Sequence, residues 1–179
     1  MERQTIDVGG GFPDAKNIVF IGMPGCGKTS VARVVAARLG RRWYDTDDMV
    51  ERSEGIGIPE IFERFGEEYF RRLETDAILE LSLKSGAVIS VGGGAVARNA
   101  SLLRRNAVVV YLKRPLEDIA ASAAPGTRPL VKGPDSLREL YERRRELYEG
   151  TCDLAIGNTG AIEDAAEKVL EALHENSGH

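Results

Sequence analysis

Ile18-Val-Phe-Ile-Gly22-Met-Pro-Gly-Cys-Gly27-Lys28-Thr29-Ser30 decides the fold. Its opening residues are apolar and mostly β-branched, as in a strand buried on both faces of a parallel sheet. The glycine-rich remainder matches G-x-x-x-x-G-K-[ST] and runs into residues 28–39, where Val31, Val34, Val35 and Leu39 share one helical stripe. Strand, glycine turn and helix in that order make a cradle for polyphosphate. Glycines let backbone N–H groups curl around the anion without Cβ clashes. The helix N-terminus adds partial positive charge. Lys28 can reach the β- and γ-phosphates, and the Thr29 hydroxyl can ligate Mg2+. Gly25, Cys26, Gly27, Lys28, Thr29 and Ser30 are therefore the expected nucleotide-binding residues. A chance match in a chain of this length has a probability of roughly 1%.

Outward from this stretch, two more apolar runs read as buried strands: Ala87-Val-Ile-Ser-Val91 and Ala107-Val-Val-Val-Tyr-Leu112. Residues 42–45 and 153–157 are weaker strand candidates. Helical spacing appears over 67–84 (Phe70, Leu73, Ala77, Leu81), over 136–148 (Leu137, Leu140, Tyr141, Tyr148) and over 163–175. Strands alternating with helices predict an α/β fold of three layers, a central five-stranded parallel sheet flanked by helices. The 179 residues suffice for one domain, expected over 17–175, with loose tails at 1–16 and 176–179. The Pro- and Gly-rich stretch 124–134 reads as a loop long enough to be a mobile lid.

Composition excludes several classes. Hydrophobic residues make up 42% and charged residues 29%, an ordinary globular balance. A net charge of -4 argues against a protein built to grip nucleic acid. Two distant cysteines, Cys26 and Cys152, make no disulfide scaffold and no zinc spacing. No apolar run is long enough to span a membrane and no secretory signal is evident, so a cytoplasmic location is expected.

Ligands of parallel sheets bind beyond the carboxyl ends of the strands. After the second strand come Asp45 and Asp47, placed to assist metal through water and to accept a proton from a hydroxyl. Asp48 reads as a helix N-cap. After the third strand come Gly92, Gly93 and Gly94, which allow close backbone approach. Arg71 and Glu74 share a helix face, either as a solvated pair or as a carboxylate oriented to set a substrate-binding arginine. Arg128 in the lid can swing onto the phosphates. Arg143, Arg144 and Arg145 point about 100° apart, so at most one or two face any site.

Taken together, Gly22–Thr29, Asp45-Thr-Asp47, Phe70-Arg-Arg-Leu-Glu74, Gly92-Gly-Gly-Ala-Val96, Arg128-Pro-Leu130 and Arg144-x-x-Leu-Tyr148 resemble the shikimate kinase family of P-loop kinases. The resemblance implies transfer of the ATP γ-phosphate to the 3-hydroxyl of shikimate, a step toward chorismate and the aromatic amino acids. It implies Lys28, Asp47 and Arg128 as catalytic residues, with Thr29, and Asp45 through water, at Mg2+. Asp47, Phe70, Arg71, Glu74, Gly92, Gly93, Gly94 and Arg144 would form the shikimate pocket, with Arg71 and Arg144 on its carboxylate and Glu74 holding Arg71. Residues 47–66 would be the mobile substrate-binding region. Partners are small molecules, with neither nucleic acid nor membrane, and a monomer is expected. Two stretches depart from the family pattern, Ala120-Ala-Ser-Ala-Ala124 and Gly157-Asn-Thr-Gly160, both on the side of the nucleotide base. A kinase of another small hydroxylated carboxylate such as gluconate, or a nucleotide-binding homologue without turnover, remain the alternatives.

Overall fold

A computed structural model describes residues 16–122 and 134–176. Among these residues five strands form: β1 (Asn17–Ile21), β2 (Trp43–Asp45), β3 (Val88–Ser90), β4 (Ala107–Lys113) and β5 (Leu154–Gly157). All pair in parallel, in the order β2-β3-β1-β4-β5. β1 is buried at every residue and β4 along most of its length, which is why both read as unbroken apolar runs. β2 and β5 are the sheet edges and only partly buried, so their sequence signals are weak.

Among the described residues, seven helices surround the sheet: α1 (Lys28–Leu39), α2 (Thr46–Glu54), α3 (Ile58–Ser82), α4 (Val96–Leu103), α5 (Leu116–Ala121), α6 (Pro134–Thr151) and α7 (Ile162–Asn176). Right-handed crossovers send α1 to one face, because β1 to β2 runs toward one edge, and α3, α4 and α6 to the other. Accordingly α1 lies against α7, α4 against α3 and α6, and α5 against α6. The main core joins both faces of the sheet, with Phe20, Ile18, Val109 and Leu112 at its centre. A smaller cluster of Val50, Ile61, Phe70 and Ala77 lies between α2 and α3.

The structure departs from the sequence reading at several elements. The periodicity predicts helix only from residue 67, but α3 begins at Ile58 and breaks at Gly66, whose φ of 80° interrupts the helical period. α4 and α5, of 8 and 6 residues, are too short to show a period, so the sequence does not announce them. α6 takes in Pro134, and α7 extends to Asn176, one residue into the expected tail. The expected lid with Arg128, and the rest of both tails apart from Lys16, lie outside the described residues. Among the described residues no helix is long and apolar enough to cross a membrane.

Candidate active site

β1 ends in the glycine loop, and Gly27 opens α1 with φ 96°, a left-handed conformation that a side chain would strain. A Cβ there would also lie 2.5 Å from the Asn158 Nδ2. Lys28 is 8% exposed. Its ammonium donates to the carbonyls of Gly22 at 3.0 Å and Met23 at 2.9 Å, so the charge sits at the mouth of the loop. Gly25 and Ser30 are exposed and Cys26 is buried with its thiol free.

Asp45 joins three elements. Its Oδ2 accepts from the Thr29 hydroxyl at 2.9 Å and from the Ser90 hydroxyl at 2.7 Å. Its Oδ1 accepts from the backbone N–H of Asp47 at 2.9 Å and of Asp48 at 3.4 Å, capping α2. This corrects the reading of Asp48: the cap is Asp45, and Asp48 lies in the first turn. Thr29 and Asp45 thereby present hard oxygen donors side by side, a donor set that suits Mg2+ completed by phosphate and water.

Asp47 lies next to that pair. Burial, then the charges of Asp45 and Glu74, push its carboxyl up from 3.8 to about 7, against the pull of Lys28. Glu74 is 1% exposed, and burial likewise raises its carboxyl. Arg71, 7% exposed, donates Nη1 to the Glu74 Oε2 at 2.8 Å and reaches Glu67 at 3.2 Å. The pair is therefore buried, and the solvated-surface alternative is excluded. Among the described residues the buried Glu74 Oε1 has no hydrogen-bond partner. Phe70 belongs to the small core, with the Arg71 guanidinium 5.2 Å from its ring centre.

The glycines after β3 are there for space. A Cβ on Gly92 would meet the Glu74 Oε1 at 2.6 Å and the Asp47 Oδ1 at 2.9 Å. One on Gly93 would meet the Pro24 Cδ at 2.7 Å, so this loop touches the phosphate loop. One on Gly94 would overlap the Arg71 guanidinium. The structure thus brings Lys28, Thr29, Asp45, Asp47, Arg71, Glu74 and the three glycines together. Arg144, on α6 four residues before Tyr148, reaches Glu74 and Tyr148 through its charge, while Arg143 and Arg145 are exposed.

Four residues of this assembly escape the reading of the sequence. The Thr46 hydroxyl accepts from the Gly92 N–H at 3.2 Å. Ser90 anchors Asp45. Asn158 donates to the Cys26 carbonyl at 2.8 Å, from within one of the two stretches that depart from the family pattern. Tyr148 donates to the Gly93 carbonyl at 2.6 Å. Two of the four have a signal, Thr46 inside the Asp45-Thr-Asp47 motif and Tyr148 at the end of the Arg144-x-x-Leu-Tyr148 motif.

A parallel sheet whose first strand feeds a phosphate cradle, with an acidic pair at a nearby strand end, defines the class: a P-loop kinase. Known proteins narrow it. A family model described as shikimate kinase matches residues 24–174. A shikimate kinase of Clostridium beijerinckii is 38% identical over 162 residues, covering 89% of this chain and 95% of that protein. The solved structure of shikimate kinase from Acinetobacter baumannii in complex with shikimate superposes with a TM-score of 0.88 at 38% identity, covering 92% of this chain and 96% of that one. The chain belongs to the shikimate kinase family and is an ATP-dependent kinase, a shikimate kinase. A gluconokinase from Sinorhizobium meliloti, TM-score 0.61 at 16% identity, shares the fold alone.

Proposed function

We infer that the protein transfers the γ-phosphoryl group of ATP to the 3-hydroxyl of shikimate, releasing ADP and shikimate 3-phosphate toward chorismate and the aromatic amino acids. The observation that carries this reading is the buried Arg71–Glu74 pair beside Asp47, at the loop that touches the phosphate cradle. A buried guanidinium with part of its fork free suits a carboxylate, and the neighbouring base suits a hydroxyl on the same small molecule.

Each group has a task. The backbone of Gly25 to Ser30 cradles the phosphates, and Lys28 leaves its carbonyl partners for the β/γ oxygens. Thr29, and Asp45 through water, hold Mg2+, which neutralises phosphate charge when bound. Asp47 hydrogen-bonds the acceptor hydroxyl and takes its proton as the oxygen attacks phosphorus. Its high proton affinity suits that task near neutral pH. Arg71 and Arg144 grip the acceptor carboxylate, Glu74 fixes Arg71, and Phe70 lies against the Arg71 guanidinium. Gly92, Gly93 and Gly94 let the acceptor approach the backbone. Arg128 is assigned to the phosphates from the lid by the family resemblance.

An ATP-consuming enzyme with free thiols at Cys26 and Cys152 fits the cytoplasm. A coupled ADP-release assay with Mg-ATP and shikimate, gluconate or no acceptor tests the reading. Strong stimulation by shikimate alone is expected. Stimulation by gluconate instead, or by neither, would overturn it.

A further inference from the structure

We propose that Tyr148 is a positioning residue for the acceptor: its hydroxyl ties α6, one turn from Arg144, to the loop Gly92–Gly94, so that Arg144 and the loop meet the acceptor in one fixed arrangement. The proposal rests on the functional reading above.

Tyr148 is the largest fully buried side chain among the described residues, at 0% exposure. Its ring stacks obliquely on Tyr111, centres 5.1 Å apart, and its oxygen lies 3.9 Å from the Met23 sulfur. Those contacts account for the ring, and a phenylalanine would make the ring contact equally well. The hydroxyl needs a separate reason, because a buried O–H costs free energy unless it is bonded. It donates its proton to the Gly93 carbonyl at 2.6 Å. Arg144 lies four residues earlier on the same face of α6, and its positive charge acts on the phenol against the effect of burial. Burial keeps the phenol protonated, pushed up to about 12, so it remains a donor to Gly93 throughout the working pH range.

That bond therefore ends on the loop proposed to meet the acceptor, and Gly93 in turn rests on Pro24 of the phosphate loop. A long arginine side chain has about 2 kcal/mol of rotamer entropy to lose on binding a ligand. Arg71 is held in advance by Glu74. Tyr148 anchors the turn of α6 that carries Arg144, whose neighbours Arg143 and Arg145 are left exposed.

The test compares wild type, Tyr148→Phe, Arg144→Ala and the double variant by steady-state kinetics with varied shikimate and varied ATP, alongside thermal unfolding. Phe keeps the ring, and the unfolding midpoint verifies that the variant folds. Tyr148→Phe should raise the shikimate KM about tenfold, as loss of a buried hydrogen bond that leaves the Gly93 carbonyl unpaired predicts. The ATP KM should stay within about twofold. In the Arg144→Ala background the same change should add less than about twofold, because the two residues act as one unit. An unchanged shikimate KM, a parallel rise of both KM values with a fallen midpoint, or full additivity would each overturn the proposal. Wild type that releases no ADP with shikimate would overturn the functional reading and remove this proposal's premise. Wild-type turnover with an unaffected Phe variant would overturn the proposal alone.

Discussion

Asp47 is held where its ionised form is costly. Buried and facing Asp45 and Glu74, it keeps its proton up to about 7 instead of 3.8. The native state therefore binds a proton that the unfolded chain has already released, and stability falls as pH rises from about 4 to about 7. The full difference amounts to roughly 4 kcal/mol as an upper figure. Asp47→Asn should remove that loss, so the variant should melt above wild type at pH 8 and show no such gain at pH 4. It should also lose about 10^2- to 10^4-fold in turnover while retaining ATP binding. The wild-type acid limb of kcat/KM, which Lys28 and bound metal draw to lower pH, should be absent in the variant. Thermal scans against pH, run beside the kinetics, check both halves, and a variant that is active and no more stable at pH 8 contradicts them. Arg71 has the opposite sign. Arg71→Ala strips Glu74, 1% exposed, of its only short ion pair among the described residues. The shikimate KM should rise steeply, and stability should fall by about 3–5 kcal/mol, read as a lowered urea midpoint. Arg71→Ala combined with Glu74→Gln should recover stability without recovering the KM.

The elements decide which of these residues can be read in advance. β1, β3 and β4 are legible because they are buried on both faces, and any residue just beyond their ends is a ligand candidate by topology. That rule, with the weaker β2, finds Asp45, Asp47 and the three glycines. It cannot find Thr46 or Ser90, whose roles exist only once β2 lies beside β3 and α2 starts against the Gly92 N–H. Nor can it find Asn158, which reaches Cys26 across 132 residues of sequence. Helix periodicity recovers α1 and α7 but loses the first part of α3, because Gly66 at φ 80° resets the phase between the two pieces. The loop after β3 offers the cleanest test at this scale. Gly92→Ala would place a methyl 2.6 Å from the Glu74 carboxylate and 2.9 Å from that of Asp47. Both carboxylates must shift, and displacement of this order costs about 10^2-fold in rate. Expected, then, is a kcat/KM lowered about 100-fold with ATP binding kept, measured by kinetics and nucleotide titration. Full activity would place the reacting groups away from Gly92.

Across the whole molecule, the two halves of the site differ in how far they are assembled before ligand arrives. The phosphate loop is in a closed-on-itself state, with Lys28 bonded to its own loop carbonyls and Thr29 to Asp45. Nucleotide and metal must replace those bonds. The half proposed for the acceptor is already set: Arg71 on Glu74, Tyr148 on Gly93, and the two glycine-rich loops in contact through Pro24. Shikimate should therefore bind the free protein without nucleotide, and its binding should be indifferent to a chelator. At a ligand concentration one hundred times Kd, mass action adds about 2.7 kcal/mol to stability. For a domain of this size that raises the melting temperature by roughly 5–10 °C. ATP should give a comparable rise only with Mg2+ present, because the Thr29–Asp45 oxygens then gain a cation to share. The check is a thermal-shift series with shikimate, ATP, and both, each with Mg2+ or EDTA. A shikimate shift that appears only after nucleotide is added would mean that the acceptor site is built by the nucleotide, and that the buried Arg71–Glu74 pair is not the preformed clamp its geometry describes.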